Sequence, residues 1–81
     1  MRIKVQFFSQ LKESAGTGEL ALDLPDETTV AGLLAQVYRR YPALQKWDDS
    51  ILIGAGVELV ERDYVLQPND AIAIMPPVQG G

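Results

Sequence analysis

Only once along this chain does the apolar pattern take the period of a helix. Val30, Leu33, Leu34, Val37, Tyr38 and Tyr41 recur at i, i+3, i+4, i+7, i+8 and i+11, which places them all on one helical face. Thr28 or Thr29 can cap the start of this helix, Arg39 and Arg40 meet the negative end of its dipole, and Pro42 stops it. The other apolar runs alternate with period two or are short and bounded by turn residues. A chain of 81 residues has one core, so a single amphipathic helix must find its partner surface in strands. The expectation is an α+β domain, a mixed sheet with one main helix packed on one face.

The strands can be read in order. Ile3, Val5 and Phe7 alternate with Arg2, Lys4 and Gln6, the pattern of a half-buried strand. Phe8 falls on the polar side of that alternation, either beginning a turn or marking an exposed apolar spot. Residues 9–14 can form a short helical turn, and Ala15-Gly16-Thr17-Gly18 reverses the chain. Leu20, Leu22 and Leu24 alternate inward in a second strand, antiparallel to the first, which Pro25-Asp26-Glu27 ends. Beyond the long helix, Leu44 and Trp47 fold under its end, Trp47 as a satellite of the core, and Asp48-Asp49-Ser50 makes a polar break. Residues 51–53, 57–60 and 64–66 read as short strands. Gly54-Ala55-Gly56 reads as a bulge or turn and Glu61-Arg62-Asp63 as a turn, while Pro68-Asn69-Asp70 leads into a last strand at 71–75. A right-handed crossover through the helix sets that last strand parallel to the first, in the middle of the sheet.

Several kinds of chemistry are excluded by what the chain lacks. Without cysteine there is no disulfide framework, no thiolate metal site and no persulfide, and without histidine the side chain most used for proton transfer near neutral pH is missing. Self-contained catalysis is therefore not expected. The net charge is −4 and the basic residues are scattered, so nucleic acid is not an expected partner. Asp48, Asp49, Asp63 and Asp70 match no calcium-loop spacing and suit turns instead, and no metal site is assigned. Gly54-Ala55-Gly56 is followed neither by a helix nor by a Gly-Lys-Ser/Thr sequence, which rules against a phosphate loop. No apolar run approaches the roughly 20 residues of a membrane span, and the alternating N-terminus is unlike a signal core. The expected location is the cytoplasm.

The remaining chemistry lies in the last residues, Met75-Pro76-Pro77-Val78-Gln79-Gly80-Gly81. Two prolines cannot extend a sheet ladder and hold the backbone extended, so the expected division is a domain over 1–75 and an extended tail over 76–81. Such a tail reaches roughly 20 Å. Its terminal glycines bring no side chain into a narrow channel, so it can present its carboxylate inside another protein.

The ending Pro76-Pro77-Val78-x-Gly80-Gly81 resembles the MoaD/ThiS group of ubiquitin-like carriers, and within it the MoaD type, the small sulfur-carrying subunits of molybdopterin synthase. Phe8, Leu11 and Gly16 match an element that follows the first strand in that group. The resemblance sharpens the fold to the β-grasp and implies a function. A separate ATP-dependent activating enzyme adenylates Gly81, a sulfur donor protein converts it to a thiocarboxylate, and the large synthase subunit uses that sulfur on a pyranopterin to build the dithiolene that holds molybdenum. It implies no cofactor bound by this chain itself, ATP being used by the activating enzyme. It implies a heterotetramer with two of each subunit, no nucleic acid and no membrane. Gly81 would carry the reacting carboxylate, Pro76 and Pro77 would aim the tail, Val78 would touch the partner wall, and Gly80 would pass a tight pocket. A thiamine-type sulfur carrier, a ubiquitin-like protein modifier and a pure interaction domain remain open alternatives.

Overall fold

The first and last strands lie side by side in the centre of one sheet. The computed structural model describes residues 1–77, with β1 at Arg2–Phe7, α1 at Gln10–Ala15, β2 at Glu19–Asp23 and α2 at Val30–Arg40. A 3₁₀ helix at Pro42–Trp47 leads to β3 at Leu52–Ala55, β4 at Glu58–Val60 and β5 at Ala71–Met75. The sheet order is β2-β1-β5-β3-β4. Strand β1 pairs antiparallel with β2 and parallel with β5, and β3 pairs antiparallel with both β5 and β4. This is the mixed sheet and central parallel pair expected from the sequence, and the fold is the ubiquitin-like β-grasp.

Each element forms for a local reason. The β1–β2 connection is closed by Gly16, whose φ of 77° ends α1 in the left-handed conformation while its N–H donates to the carbonyls of Lys12 and Glu13. Helix α2 starts at Thr29, whose hydroxyl oxygen accepts the N–H of Gly32 at 3.3 Å. It turns Val30, Leu33, Leu34 and Val37 inward. These side chains join Ile3, Val5 and Phe7 of β1 and Ile72 and Ile74 of β5 in one buried cluster. Tyr41 lies just past the helix as its C-terminal cap and sets its ring edge-on to Phe7, with centroids 5.9 Å apart. Pro42 stops α2 and opens the 3₁₀ helix, which tucks Leu44 into the core and Trp47 against it.

Two sequence expectations are corrected. Residues 64–66 form no strand: Val65 makes only an isolated bridge to Thr29. The backbone of this segment is used instead on the start of α2. The carbonyls of Tyr64 and Arg62 accept the N–H groups of Val30 and Ala31 at 2.9 and 3.0 Å, and Leu66 N–H donates to the Thr28 carbonyl at 2.9 Å. A helix start presents N–H groups that need acceptors, and here the returning chain supplies them. The second correction concerns Gly54-Ala55-Gly56. Gly54 and Ala55 belong to β3, paired with Ala73 and Ile72, and the reversal is the two-residue turn Gly56-Val57. Gly56 takes a φ of 63°, which glycine adopts without steric strain.

Candidate docking face and tail exit

The face of the sheet away from α2 divides into a charged half and an apolar half. Over β1 and β2 the outward residues form exposed ion pairs, Lys4 with Glu19 at 3.1 Å and Arg2 with Asp23 at 3.7 Å. Over β5, β3 and β4 the register lines up Ala73, Gly54 and Leu59 as one row, and Met75 with Leu52 as the next. Phe8 extends the second row, because its N–H donates to the Ile74 carbonyl at 3.2 Å beside Met75. Large apolar side chains remain uncovered in this half: Leu59 is 66% exposed, Phe8 43% and Leu52 36%. Gly54 leaves a slot in the middle that Met75 fills, its Cε lying 3.4 Å from where a Cβ on Gly54 would stand. Methionine is flexible and polarizable, so the surface can adapt to what lies on it.

Strand β5 runs directly into Pro76 and Pro77, which are half-buried and carry no strand pairing. The site residues Val78, Gly80 and Gly81 lie outside the described residues. The apolar rows and the base of the tail thus share one strand, through Met75. The sequence left Phe8 open between the start of a turn and an exposed apolar spot, and the structure exposes it. Leu52, Leu59 and Met75 were not singled out, since a run such as Ile51-Leu52-Ile53 hides which of its residues point away from the core.

A polar network also escaped the sequence reading. The hydroxyl of Tyr38 donates to Asp48 Oδ1, and Arg62 Nη1 reaches the same oxygen at 2.7 Å while Nη2 donates to the Asp48 backbone carbonyl. The hydrogen bond from Tyr38, with that from Arg62, holds the Asp48 carboxyl below the usual range. Burial and the neighbouring Asp48 raise the Tyr38 hydroxyl well above its ordinary value. Asp70 does turn chemistry, as expected: its Oδ2 accepts from Tyr64 Oη at 3.0 Å and Gln67 N–H at 2.8 Å. Among the described residues no group of histidine, cysteine, aspartate or glutamate is placed to hold a metal, and no helix is long and apolar enough to cross a membrane.

The ThiS family model matches residues 5–81. The chain belongs to the ThiS family. Among curated relatives, the molybdopterin synthase sulfur carrier subunit of Escherichia coli (strain K12) is 37% identical over 81 residues, covering 98% of this chain and 99% of that one. The protein of the same name from Dictyostelium discoideum is 34% identical over 83 residues, covering 99% and 96%. Among solved structures, the small archaeal modifier protein 1 of Methanosarcina acetivorans superimposes with a TM-score of 0.81 at 32% identity, over 99% of this chain and 96% of that one. Proteins similar to this chain from end to end thus include both named sulfur carriers and a named modifier.

Proposed function

We propose that this protein is the sulfur carrier subunit of a molybdopterin synthase, which delivers sulfur as a thiocarboxylate on Gly81. The observation that carries the reading is the continuity of the exposed apolar rows with the tail. A partner seated on Leu52, Leu59 and Phe8 also holds Met75, and Pro76 and Pro77 then direct the following residues from a fixed point. The sulfur carrier relatives, matched along nearly their whole length, support the assignment.

The chemistry follows from the poor reactivity of a carboxylate. An activating enzyme transfers AMP from ATP to the Gly81 carboxylate, with release of pyrophosphate. A sulfur nucleophile supplied by a donor protein then displaces AMP and leaves the thiocarboxylate. In the synthase, the large subunit brings the pterin substrate to that sulfur; once sulfur has bonded to a pterin carbon, water cleaves the acyl–sulfur bond, supplying the oxygen that returns Gly81 to a carboxylate and leaving the sulfur on the pterin. One carrier delivers one sulfur and a dithiolene needs two, which suits an assembly with two of each subunit. Gly80 and Gly81 bring no side chains into the channel, and Val78 supplies an apolar contact to its wall. The carrier itself binds no cofactor and works in the cytoplasm.

The test is co-expression with the large subunit and the activating enzyme, followed by intact-mass measurement of the carrier. The expected result is a stable complex and a mass gain of one oxygen-to-sulfur exchange that disappears when Gly81 is deleted. The likeness to the archaeal modifier favours a second reading, ligation of Gly81 to lysines of other proteins. A Gly81-dependent ladder of conjugates without a stoichiometric large subunit supports that reading and defeats the first. Capture of thiamine-pathway enzymes in place of the large subunit identifies the thiamine-type carrier.

A further inference from the structure

The Tyr38–Asp48–Arg62 network lies outside both the hydrophobic core and the tail, yet it meets the edge of the apolar face. Strand β4 is only three residues long and, among the described residues, pairs with β3 alone, so its other side has no strand beside it. Short edge strands of this kind open readily unless they are tied at their ends. One end of β4 is held by the Gly56-Val57 turn. The other runs through Glu61 into Arg62, and Arg62 is fastened twice to parts of the protein that do not belong to the sheet. Its carbonyl accepts the N–H of Ala31 at the start of α2, at 3.0 Å. Its guanidinium takes the Asp48 carboxylate at 2.7 Å and the Asp48 carbonyl with a second nitrogen, while Tyr38 on α2 donates to the same carboxylate. Arg62 also lines, with Leu52 and Leu59, a cleft of about 150 Å³ at the border of the apolar rows.

We propose that Arg62 is a positioning residue, which through its two-point grip on Asp48 fixes β4 and so presents Leu59 to the docking partner. A planar fork holds two acceptors with two nitrogens in fixed geometry, whereas lysine brings its donors on one nitrogen at the end of a flexible stem and grips the same pair less rigidly. The inference rests on the carrier reading for the identity of the partner, whereas the fixing of β4 is a property of the isolated chain.

Two measurements on the full chain test it, with Arg62→Ala, Arg62→Lys and Asp48→Asn. The first is amide hydrogen exchange. Arg62→Ala is expected to speed exchange of the protected β4 amides about tenfold relative to those of β1 and β5, with Arg62→Lys intermediate. The second is the dissociation constant for the large synthase subunit, measured where circular dichroism shows the variant folded. It is expected to rise roughly five- to tenfold for Arg62→Ala and less for Arg62→Lys. A role limited to overall stability accelerates exchange throughout the sheet and leaves the dissociation constant of the folded protein unchanged; that pattern overturns the proposal, as does no change in either measurement. If Arg62→Ala fails to fold, the same two readouts on Arg62→Lys and Asp48→Asn decide. If the unaltered chain does not bind the large subunit, the carrier reading fails, while β4 exchange still decides whether Arg62 holds the strand.

Discussion

Leu34→Ala and Leu59→Ala make the same substitution on opposite sides of the sheet, and the structure assigns them opposite consequences. Leu34 is 2% exposed on the inward face of α2. Removing about three carbon groups there forfeits roughly 2.4 kcal/mol of transfer free energy at about 0.8 kcal/mol each. A residual void of about 40 Å³ adds roughly 1 kcal/mol at about 24 cal/mol per Å³. The sum, about 3.4 kcal/mol, is a large fraction of the roughly 4–12 kcal/mol expected for a chain of this length at about 0.05–0.15 kcal/mol per residue. With a urea slope of about 1 kcal/mol per M, the unfolding midpoint should fall by about 3 M. Leu59 is 66% exposed, so the same arithmetic leaves at most about 0.8 kcal/mol for its loss. The second variant should therefore unfold near the unaltered midpoint and lose affinity for the large subunit by about 1–2 kcal/mol, as truncating a large apolar contact at an interface does. Urea titration and calorimetry on both variants give the comparison. A midpoint shift equivalent to under about 0.5 kcal/mol for Leu34→Ala would refute the packing of α2 on the sheet. Unchanged binding for Leu59→Ala would refute the docking face.

Further outcomes follow from single positions. Gly16→Ala meets no atom within 4 Å but must keep a φ of 77°, so it should lower stability by about 1 kcal/mol in chemical denaturation with no change in fold. Asp48 has a lowered folded pKa, so its contribution is present above its ordinary value of 3.8 and is lost as pH falls from there through the folded value. Asp48→Asn should flatten that acid limb of a stability–pH curve. Tyr38 has a raised pKa, so its contribution is complete below pH 10.0 and is lost as pH rises beyond it; Tyr38→Phe should flatten the alkaline limb. Deleting Gly80 and Gly81 should abolish sulfur transfer in a reconstituted synthase assay while leaving the melting temperature unchanged, because two terminal glycines have no side chains to bury.

The layers of the fold were legible because their periods are clean. The α2 stripe and the alternations in β1 and β2 each bury one face, so the sequence marks the inward side directly. Where both faces are apolar the signal is lost. Leu52 and Ile53 are adjacent and equally apolar, yet only Ile53, 5% exposed, is in the core. Tyr64-Val65-Leu66 has the residues of a strand, and what prevents one is remote: the Tyr64 carbonyl accepts from Val30 at the start of α2 and the Leu66 N–H donates to the Thr28 carbonyl just before it. No local pattern announces that competition. The Asp48–Arg62 pair joins residues separated by 14 positions, and Asp48 reads equally well as a turn residue. The diglycine was read as chemistry because so little else in the chain could react and because the ending resembles a family; Gly80 and Gly81 lie outside the described residues.

On the carrier reading, the topology gives a physical reason for attaching the tail to this strand. Strand β5 is the middle strand of the sheet, bonded on one side to a parallel neighbour, β1, and on the other to an antiparallel one, β3. Its inward residues Ile72 and Ile74 are 1% and 2% exposed, so the strand is fixed by ladders on both edges and by the core beneath it. A tail attached there inherits that fixity at its base, and Pro76 and Pro77 limit the bending beyond it. A tail leaving from β4 would start on a three-residue strand paired on one side only. In transfer chemistry a misplacement of about 1 Å can lower the rate on the order of a hundredfold. The central strand therefore suits a carrier better than an edge, and the small outward residues Ala71 and Ala73 allow a partner to approach that strand closely on the way to the tail.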